Sequence, residues 1–190
     1  LQFPVAHSFL LSQRGQKILS LLGPKDLAIS LSTTSFTIVA SIQLFALFML
    51  WSPSKIVFEL PFEFLIYILP ILYCLSWFLL IVATIDAGLE VQSGALGWIS
   101  VLARNKPKFP ELPTTGLYKI IRHPIYASFF LAVLTVPTWT ADQIVVSLIL
   151  GGYCIFAPIL KDRRLIERHG EKYLRYKNST PYMLPSKIIK

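Results

Sequence analysis

Charged residues are scarce in this chain of 190 residues. Only 15% of the residues are Asp, Glu, Lys or Arg, whereas 54% are hydrophobic, and the mean hydropathy is +0.61. A soluble domain usually carries charge on about a quarter of its residues. The composition therefore excludes an ordinary water-soluble domain and indicates an integral membrane protein.

Cysteine is scarce as well, with only two residues, Cys74 and Cys154, in the whole chain. They do not form a CxxC pair, so the sequence gives no indication of a cysteine-based metal site or a redox pair. Both cysteines fall in apolar stretches, where we expect them to act as packing residues. We expect no metal centre.

Four long stretches contain no charge at all, and each approaches the roughly 17 to 25 residues of a membrane-spanning helix. They predict spans at about residues 27–51, 64–86, 124–138 and 142–160. The last two are short and meet at residues 137–142, which predicts a tight helical hairpin. Helices buried in a soluble core are the alternative, but four of them would leave almost no residues to cover them. We predict an all-α, multi-pass transmembrane helix bundle that forms one domain, residues 1–190.

The N-terminal stretch is the least defined part of the sequence. Residues 3–11 are apolar and resemble the end of a longer apolar segment, which leaves open a fifth, truncated span. A signal peptide is not expected, because no small-residue cleavage site follows an apolar core there.

The net charge of +8 is unevenly distributed along the chain. Lys and Arg concentrate before the first span, in the loop 89–122 and in the C-terminal segment 161–190, whereas the other connections contain Lys55 alone. The positive-inside rule places the basic segments in the cytoplasm. The cations flank spans instead of forming a folded basic domain, so the bilayer is the expected partner and nucleic acid is not. The oligomeric state has no signature in the sequence.

The two cytoplasmic segments have distinct patterns. Residues 94–104 form a mildly amphipathic piece with Trp98 as a membrane-interface anchor, and three prolines follow within residues 107–113. After the last span, residues 161–176 show a charged helical pattern that Gly170 interrupts, which fits one helix or two short ones. We expect the loop before the third span and this C-terminal segment to form a cytoplasmic cup.

The most informative stretch is 116–126, which leads into the third span. Pro124 suits the first turn of a helix, where its missing N–H has no partner to lose. Arg122 and His123 then precede the helix start, where free backbone amides and the helix dipole favour an anionic group. The residues fit a ligand site and also an interfacial anchor, in which Arg122 and His123 bind lipid phosphate and Tyr118 and Tyr126 lie in the aromatic belt.

The spacing of these residues resembles that of a known superfamily. Residues 122–126 (Arg-His-Pro-Ile-Tyr), the hairpin, and then Leu165-x4-Gly170-x2-Tyr173-x2-Tyr176 are similar to the membrane methyltransferases that include isoprenylcysteine carboxyl methyltransferase and phospholipid methyltransferases. Shorter motifs at 137–140 (Pro-Thr-Trp-Thr) and 181–185 (Pro-Tyr-Met-Leu-Pro) resemble the NnrU-type and methanethiol S-methyltransferase-like branch.

The resemblance implies S-adenosyl-L-methionine as the methyl donor, bound on the cytoplasmic side. It implies catalytic or donor-contacting roles for Arg122 and His123, and a donor pocket to which these residues contribute: Gly116, Tyr118, Pro124, Tyr126, Asp162, Tyr173 and Tyr176. Relatives usually carry a Glu-Glu pair where this chain has Lys161 and Asp162. A carboxylate there is expected to hold the donor's ammonium group, so Asp162 keeps the charge and Lys161 reverses it.

The leading hypothesis is an S-adenosylmethionine-dependent methyltransferase that acts on a small thiol such as methanethiol, or on another apolar acceptor delivered by the membrane. A cation or imidazole favours the reactive thiolate, which nominates His123 or Arg122. One alternative is a non-catalytic scaffold with the same fold, like nurim, which the altered pair at 161–162 favours. A second is a haem-bearing isomerase, which would require ligands such as His7 and His123 to converge.

Three other polar residues are given simpler roles. Asp86 and Glu90 end the second span and His169 lies in the charged segment, so we expect all three to be solvated.

Overall fold

The computed structural model describes residues 2–22, 24, 26–28 and 30–185. Residue 29 of the first predicted span, residue 1, and residues 186–190 of the predicted C-terminal segment lie outside the described residues. The structure is 67% helical with almost no strand. This confirms the prediction of an all-α fold.

Ten helices and two short strands follow one another in the described part of the chain. In chain order they are α1 (Gln2–Leu10), α2 (Gln13–Ser20), α3 (Ser32–Met49), β1 (Val57–Phe58), α4 (Leu65–Asp86), α5 (Leu89–Gln92), α6 (Ala95–Leu102), α7 (Leu117–Ile120), α8 (Pro124–Leu134), β2 (Trp139–Thr140), α9 (Ala141–His169) and α10 (Glu171–Ser179). They form two compact units, residues 1–52 with 87–111 and residues 53–86 with 112–190.

Three helices are long and apolar enough to cross a membrane: α3, α4 and α9. Only 6% of the most apolar 18 residues of α4 are buried. The exposed side chains of this helix include Ile71 and Phe78. Such a surface would be unfavourable in water and suits the hydrocarbon of a bilayer. These helices are those of an integral membrane protein.

The helix in the third predicted span is shorter than the prediction of 124–138. Helix α8 has 11 residues and ends at Leu134, so it is roughly 16 Å long against a hydrocarbon core of about 30 Å. Pro137 explains the early end, because a residue before proline is disfavoured in the α conformation and proline itself cannot continue the helix. Helix α9 is longer than predicted, since it passes residue 160 and continues to His169.

In the first unit, α6 lies against α3 at two glycines. The Thr34 hydroxyl donates a hydrogen bond to the carbonyl of Gly94, which has a φ of +76°. A Cβ on Gly97 would lie 2.5 Å from Thr34 Oγ1 and 2.6 Å from the carbonyl oxygen of Ser30. The close approach of the two helices therefore depends on the absence of a side chain at Gly97.

In the second unit, α8 packs against both α4 and α9. The early end of α8 leaves its last carbonyls without helical partners. The carbonyl of Val133 instead accepts from Ser147 Oγ at 2.8 Å and from Gln143 Nε2 at 3.2 Å, both on α9. These bonds fasten the helical hairpin.

A short antiparallel pair of strands, which the sequence did not predict, closes one end of this unit. Val57 pairs with Thr140 and Phe58 with Trp139, and the Ser54 hydroxyl donates to the Asp142 carboxylate. The pairing brings the start of α4 and the turn between α8 and α9 to the same end. The start of α8 and the basic part of α9 therefore lie at the other end, where the candidate site is found.

Replacing Gly97 by Ala should destabilise the first unit, although alanine is the better helix former. The added methyl group overlaps Thr34 and the Ser30 backbone, which should cost about 1 to 3 kcal/mol. Thermal unfolding of the detergent-solubilised protein measures the effect. Gly152→Ala is the matched control, because nothing lies within 4 Å of its Cβ position, and it should be neutral or stabilising. Equal melting temperatures for Gly97→Ala and Gly152→Ala would contradict this account of the helix contact.

Candidate active site

The candidate site lies at the start of α8, which begins with a proline. Pro124 occupies the first turn of the helix and His123 precedes it with a non-helical backbone. The His123 carbonyl accepts the hydrogen bond from the Ala127 N–H at 3.0 Å, as expected of a residue that caps a helix. Both His123 and Pro124 are almost fully buried, with His123 only 1% exposed.

Asp162, on α9, is the centre of a buried polar cluster. Its Oδ1 lies 2.8 Å from His123 Nε2 and accepts a hydrogen bond from the Tyr173 hydroxyl. Its Oδ2 lies 3.3 Å from Arg122 Nη2 and 3.6 Å from Lys177 Nζ. One carboxylate thus joins α9 to α10 and to the start of α8.

Arg122 donates hydrogen bonds to three backbone carbonyls of the C-terminal segment. Its Nη1 donates to the carbonyls of Lys177 at 2.7 Å and Thr180 at 3.0 Å, and its backbone N–H donates to the carbonyl of Pro181 at 2.8 Å. The guanidinium lies 5.5 Å from the ring centroid of Tyr182. Its Nε is buried and has no hydrogen-bond partner in the described part of the chain.

The two ring nitrogens of His123 differ: Nε2 forms a hydrogen bond with Asp162, whereas Nδ1 has no hydrogen-bond partner in the described part of the chain. An ionised carboxylate only accepts, so the contact with Asp162 requires the proton on Nε2. Nδ1 then carries a lone pair in the neutral ring, and it is buried without a partner among the described residues. Burial lowers the pKa of His123, and the hydrogen bond with Asp162 opposes this shift without reversing it. The ring is therefore neutral near pH 7, with Nδ1 able to accept a proton.

Tyrosines surround the cluster. The Tyr182 ring lies 5.1 Å from that of His123, and the Tyr126 ring 6.2 Å from it on the α8 side. The Tyr176 hydroxyl donates to the carbonyl of Tyr118 at 2.6 Å. Burial raises the pKa of Tyr176 to about 12 and also raises the pKa of Tyr118. Both hydroxyls therefore stay protonated at neutral pH, and that of Tyr176 is a hydrogen-bond donor.

Gly116 contacts Asp86, where it shapes the loop before α7. Its φ is +56°, and a Cβ there would overlap the carboxylate of Asp86. That carboxylate accepts from the Leu117 N–H at 2.8 Å. The expectation that Asp86 is merely solvated is therefore wrong: it is half-buried and anchors the start of α7. The φ and the close approach together make glycine the fitting residue at position 116.

The structure brings most of the predicted site residues together. Arg122, His123, Asp162 and Tyr173 meet directly, Pro124 and Tyr126 adjoin His123, and Tyr176 and Tyr118 are joined by a hydrogen bond. The sequence reasoning missed Lys177 and Tyr182 as site residues. Tyr182 lies in the motif 181–185 that carried part of the resemblance, whereas no pattern singled out Lys177. His7 lies in the other unit, where its ring packs against Phe3 and Phe36.

Several curated proteins are similar to this chain. It is 30% identical over 153 residues to the methanethiol S-methyltransferase of Pseudomonas deceptionensis, a match that covers 80% of this chain and 58% of that protein. It is 26% identical over 184 residues to methanethiol S-methyltransferase 1 of Bradyrhizobium diazoefficiens, covering 96% and 63% of the two proteins. The corresponding enzyme of Crocosphaera subtropica is 25% identical over 188 residues, covering 96% and 71%.

These relatives confirm the resemblance to the methanethiol S-methyltransferase-like branch. The chain spans less than two thirds of the length of the first two relatives described, at 58% and 63%. No known protein-family model matches the chain. No solved structure matches it either.

Replacing Asp162 by Asn should destabilise the second unit strongly. The change leaves the largely buried Arg122 cation without its counter-charge, and loss of one partner of a buried ion pair costs about 3 to 5 kcal/mol. Glu167→Gln is the matched control, since Glu167 is an exposed acid on the same helix. Thermal unfolding in detergent should show a large loss for Asp162→Asn and little change for Glu167→Gln. Equal stability of the two variants would show that the cluster does not hold the unit together.

Acidification should destabilise the protein partly through His123. The folded pKa lies below the ordinary value of about 6.5, so below that pH the unfolded state binds a proton that the folded state does not. Stability is therefore lost as the pH falls through about 6.5, and His123→Gln should lose less stability over the same range. Melting temperatures of the two proteins between about pH 7.5 and 5.5 give the comparison, with His169→Gln as control. The same pH dependence in all three would refute this role of His123.

Proposed function

We propose that this chain is an integral membrane methyltransferase that uses S-adenosyl-L-methionine to methylate a small thiol, methanethiol being the leading candidate. The observation that carries the proposal is the similarity to relatives named methanethiol S-methyltransferase, which extends over 80 to 96% of the chain. The buried cluster at the start of α8 supports it, because the matched motif residues converge there. The proposed site is the Asp162 cluster with its surrounding tyrosines.

The chemistry of the cluster fits the donor. His123 Nδ1 and Arg122 Nε are buried polar atoms without partners in the described residues, and a bound ligand would satisfy them. S-adenosylmethionine, when bound, supplies a methyl group on a positively charged sulfur. We assign the donor pocket to the cup formed by the loop before α8 and the C-terminal segment, with Gly116, Tyr118, Pro124, Tyr126, Tyr173 and Tyr176 as its lining.

The contacts favour different tasks for Arg122 and His123. Arg122 is engaged with the carbonyls of Lys177 and Thr180, so its main role is to hold the C-terminal segment over the site. His123 presents a free lone pair on Nδ1, which suits acceptance of the proton of the acceptor thiol. Asp162 fixes the tautomer of His123 through Nε2 and stabilises the imidazolium after proton transfer. Asp162 also keeps the carboxylate that the resemblance implies at this position, where it is expected to hold the ammonium group of the donor.

The membrane supplies the acceptor in this proposal. Methanethiol is small and apolar, and α4 presents an apolar surface to the bilayer, so the thiol can reach the unit from the hydrocarbon. The basic residues at the site end favour a cytoplasmic position for the donor pocket, in agreement with the positive-inside rule. Burial of the cluster excludes water, which methyl transfer by in-line displacement requires together with alignment.

A non-catalytic scaffold is the second candidate function, and one observation favours it. Asp162 already has four partners within the protein, which is the pattern of a structural cluster. Binding of the donor separates the two functions. A scaffold would bind neither S-adenosylmethionine nor S-adenosylhomocysteine.

The detergent-purified protein should form dimethyl sulfide from methanethiol and S-adenosylmethionine, detected by gas chromatography. His123→Gln should lower kcat by about 100-fold or more, since proton transfer to a positioned side chain contributes that much. His169→Gln, at the end of α9, should keep the wild-type rate, and circular dichroism checks that each variant is folded. Calorimetric titration with S-adenosylhomocysteine provides a second readout. A folded wild-type protein that neither binds S-adenosylhomocysteine nor forms dimethyl sulfide would overturn the proposed function and favour the scaffold.

A further inference from the structure

Lys161 is a half-buried cation that has no carboxylate partner among the described residues. It lies on α9 directly before Asp162, and its Nζ is 5.7 Å from the ring centroid of Tyr126. Asp162, the neighbouring acid, is occupied by His123, Tyr173, Arg122 and Lys177. A buried or half-buried ammonium group is usually paired. The arrangement leaves the charge of Lys161 available to a ligand.

The charges around Lys161 are predominantly positive. Lys161 interacts with Asp162 and Arg164 on its own helix and with His123 and Tyr126 at the start of α8. Arg122, Tyr173 and Lys177 contact Asp162 in turn, and Tyr153 lies beside Tyr126. Asp162 is the single carboxylate in this group, against the cations Lys161, Arg164, Arg122 and Lys177. An excess of positive charge in a partly dehydrated site stabilises a bound anion.

The direction of the side chain points to the membrane side of the site. Side chains on a helix lean toward its N-terminus, and the N-terminal part of α9 is the apolar part. The contact with the Tyr126 ring agrees with this direction. Tyr126 in turn lies 6.3 Å from Tyr153, which precedes Lys161 on α9 by about two helical turns and lies in the apolar part of that helix. An acceptor that arrives from the bilayer would therefore meet Lys161 from this side.

We propose that Lys161 binds the sulfur anion of the acceptor thiol and lowers the pKa of that thiol. The inference rests on the proposed function and deepens it. The thiol proton passes to His123 Nδ1, and the sulfur anion pairs with the Lys161 ammonium. The sulfur then forms a bond to the donor's methyl carbon while the bond from that carbon to the sulfonium breaks, and its electron pair stays on the leaving sulfur.

This role gives a function to the residue at which the chain departs from the pattern it resembles. Lysine at position 161 attracts a thiolate, whereas a neutral apolar acceptor gains nothing from its charge. Lys161 therefore favours an acceptor that is able to carry negative charge.

The test measures the pKa of the bound thiol directly. Ethanethiol is titrated with pH by the ultraviolet absorbance of its thiolate, in the presence of the purified protein saturated with S-adenosylhomocysteine. Lys161→Met should raise the pKa of the bound thiol by about one unit or more, as expected for loss of an adjacent opposite charge. Lys161→Arg should keep the wild-type value. Lys119→Met is the matched control, since Lys119 is an exposed lysine of α7 outside the cluster.

Activity and binding complete the test. At a pH below the wild-type thiol pKa, kcat/KM of Lys161→Met should fall about tenfold for each unit of pKa increase, whereas S-adenosylhomocysteine affinity should be unchanged. An unchanged thiol pKa would overturn the inference. Loss of S-adenosylhomocysteine binding in Lys161→Met would also overturn it, because Lys161 would then bind the donor's carboxylate. If Lys161→Met fails to fold, Lys161→Gln takes its place. Failure of the proposed function is distinct, since the wild type itself would then bind no S-adenosylhomocysteine.

Discussion

The structure of the second unit depends on one buried carboxylate. Asp162, on α9, holds two residues at the start of α8, Arg122 and His123, and two residues of α10, Tyr173 and Lys177. A buried carboxylate with too few donors would be costly, so the four partners and Asp162 require one another. The start of α8, the end of α9 and α10 are therefore fixed by the same interaction that creates the candidate site.

Two prolines and a short helix place this carboxylate at a membrane surface. Pro124 begins α8 next to His123, and Pro137 prevents α8 from continuing, so the helix is only 11 residues long. Helix α9, at 29 residues, is long enough to cross the bilayer and still bring Asp162 beside His123. The difference in length between the paired helices thus allows the polar cluster to form at the end of an apolar unit.

The sequence predicted the helical membrane fold and most residues of the cluster, but the two predictions had different sources. Charge-free stretches indicate membrane spans directly, whereas the cluster was predicted through the resemblance to the membrane methyltransferases that the spacing of Arg122, His123, Tyr173 and Tyr176 carries. The sequence did not predict the strand pair at 57–58 and 139–140, because two-residue strands leave no alternation of apolar and polar residues. Lys177 was missed because its contact with Asp162 depends on how α10 turns back at Gly170. Asp86 was misjudged since its acceptor role depends on the backbone of Leu117.

Mapping the donor site tests directly whether the methyl donor binds at the Asp162 cluster. The purified protein is irradiated with S-adenosylmethionine labelled in its methyl group, and mass spectrometry of the digested protein locates the label. If the cluster binds the donor, labelled peptides should come from residues 116–126 and 161–182, and excess S-adenosylhomocysteine should prevent the labelling. Saturable labelling confined to the other unit, or none at saturating donor, would contradict this prediction.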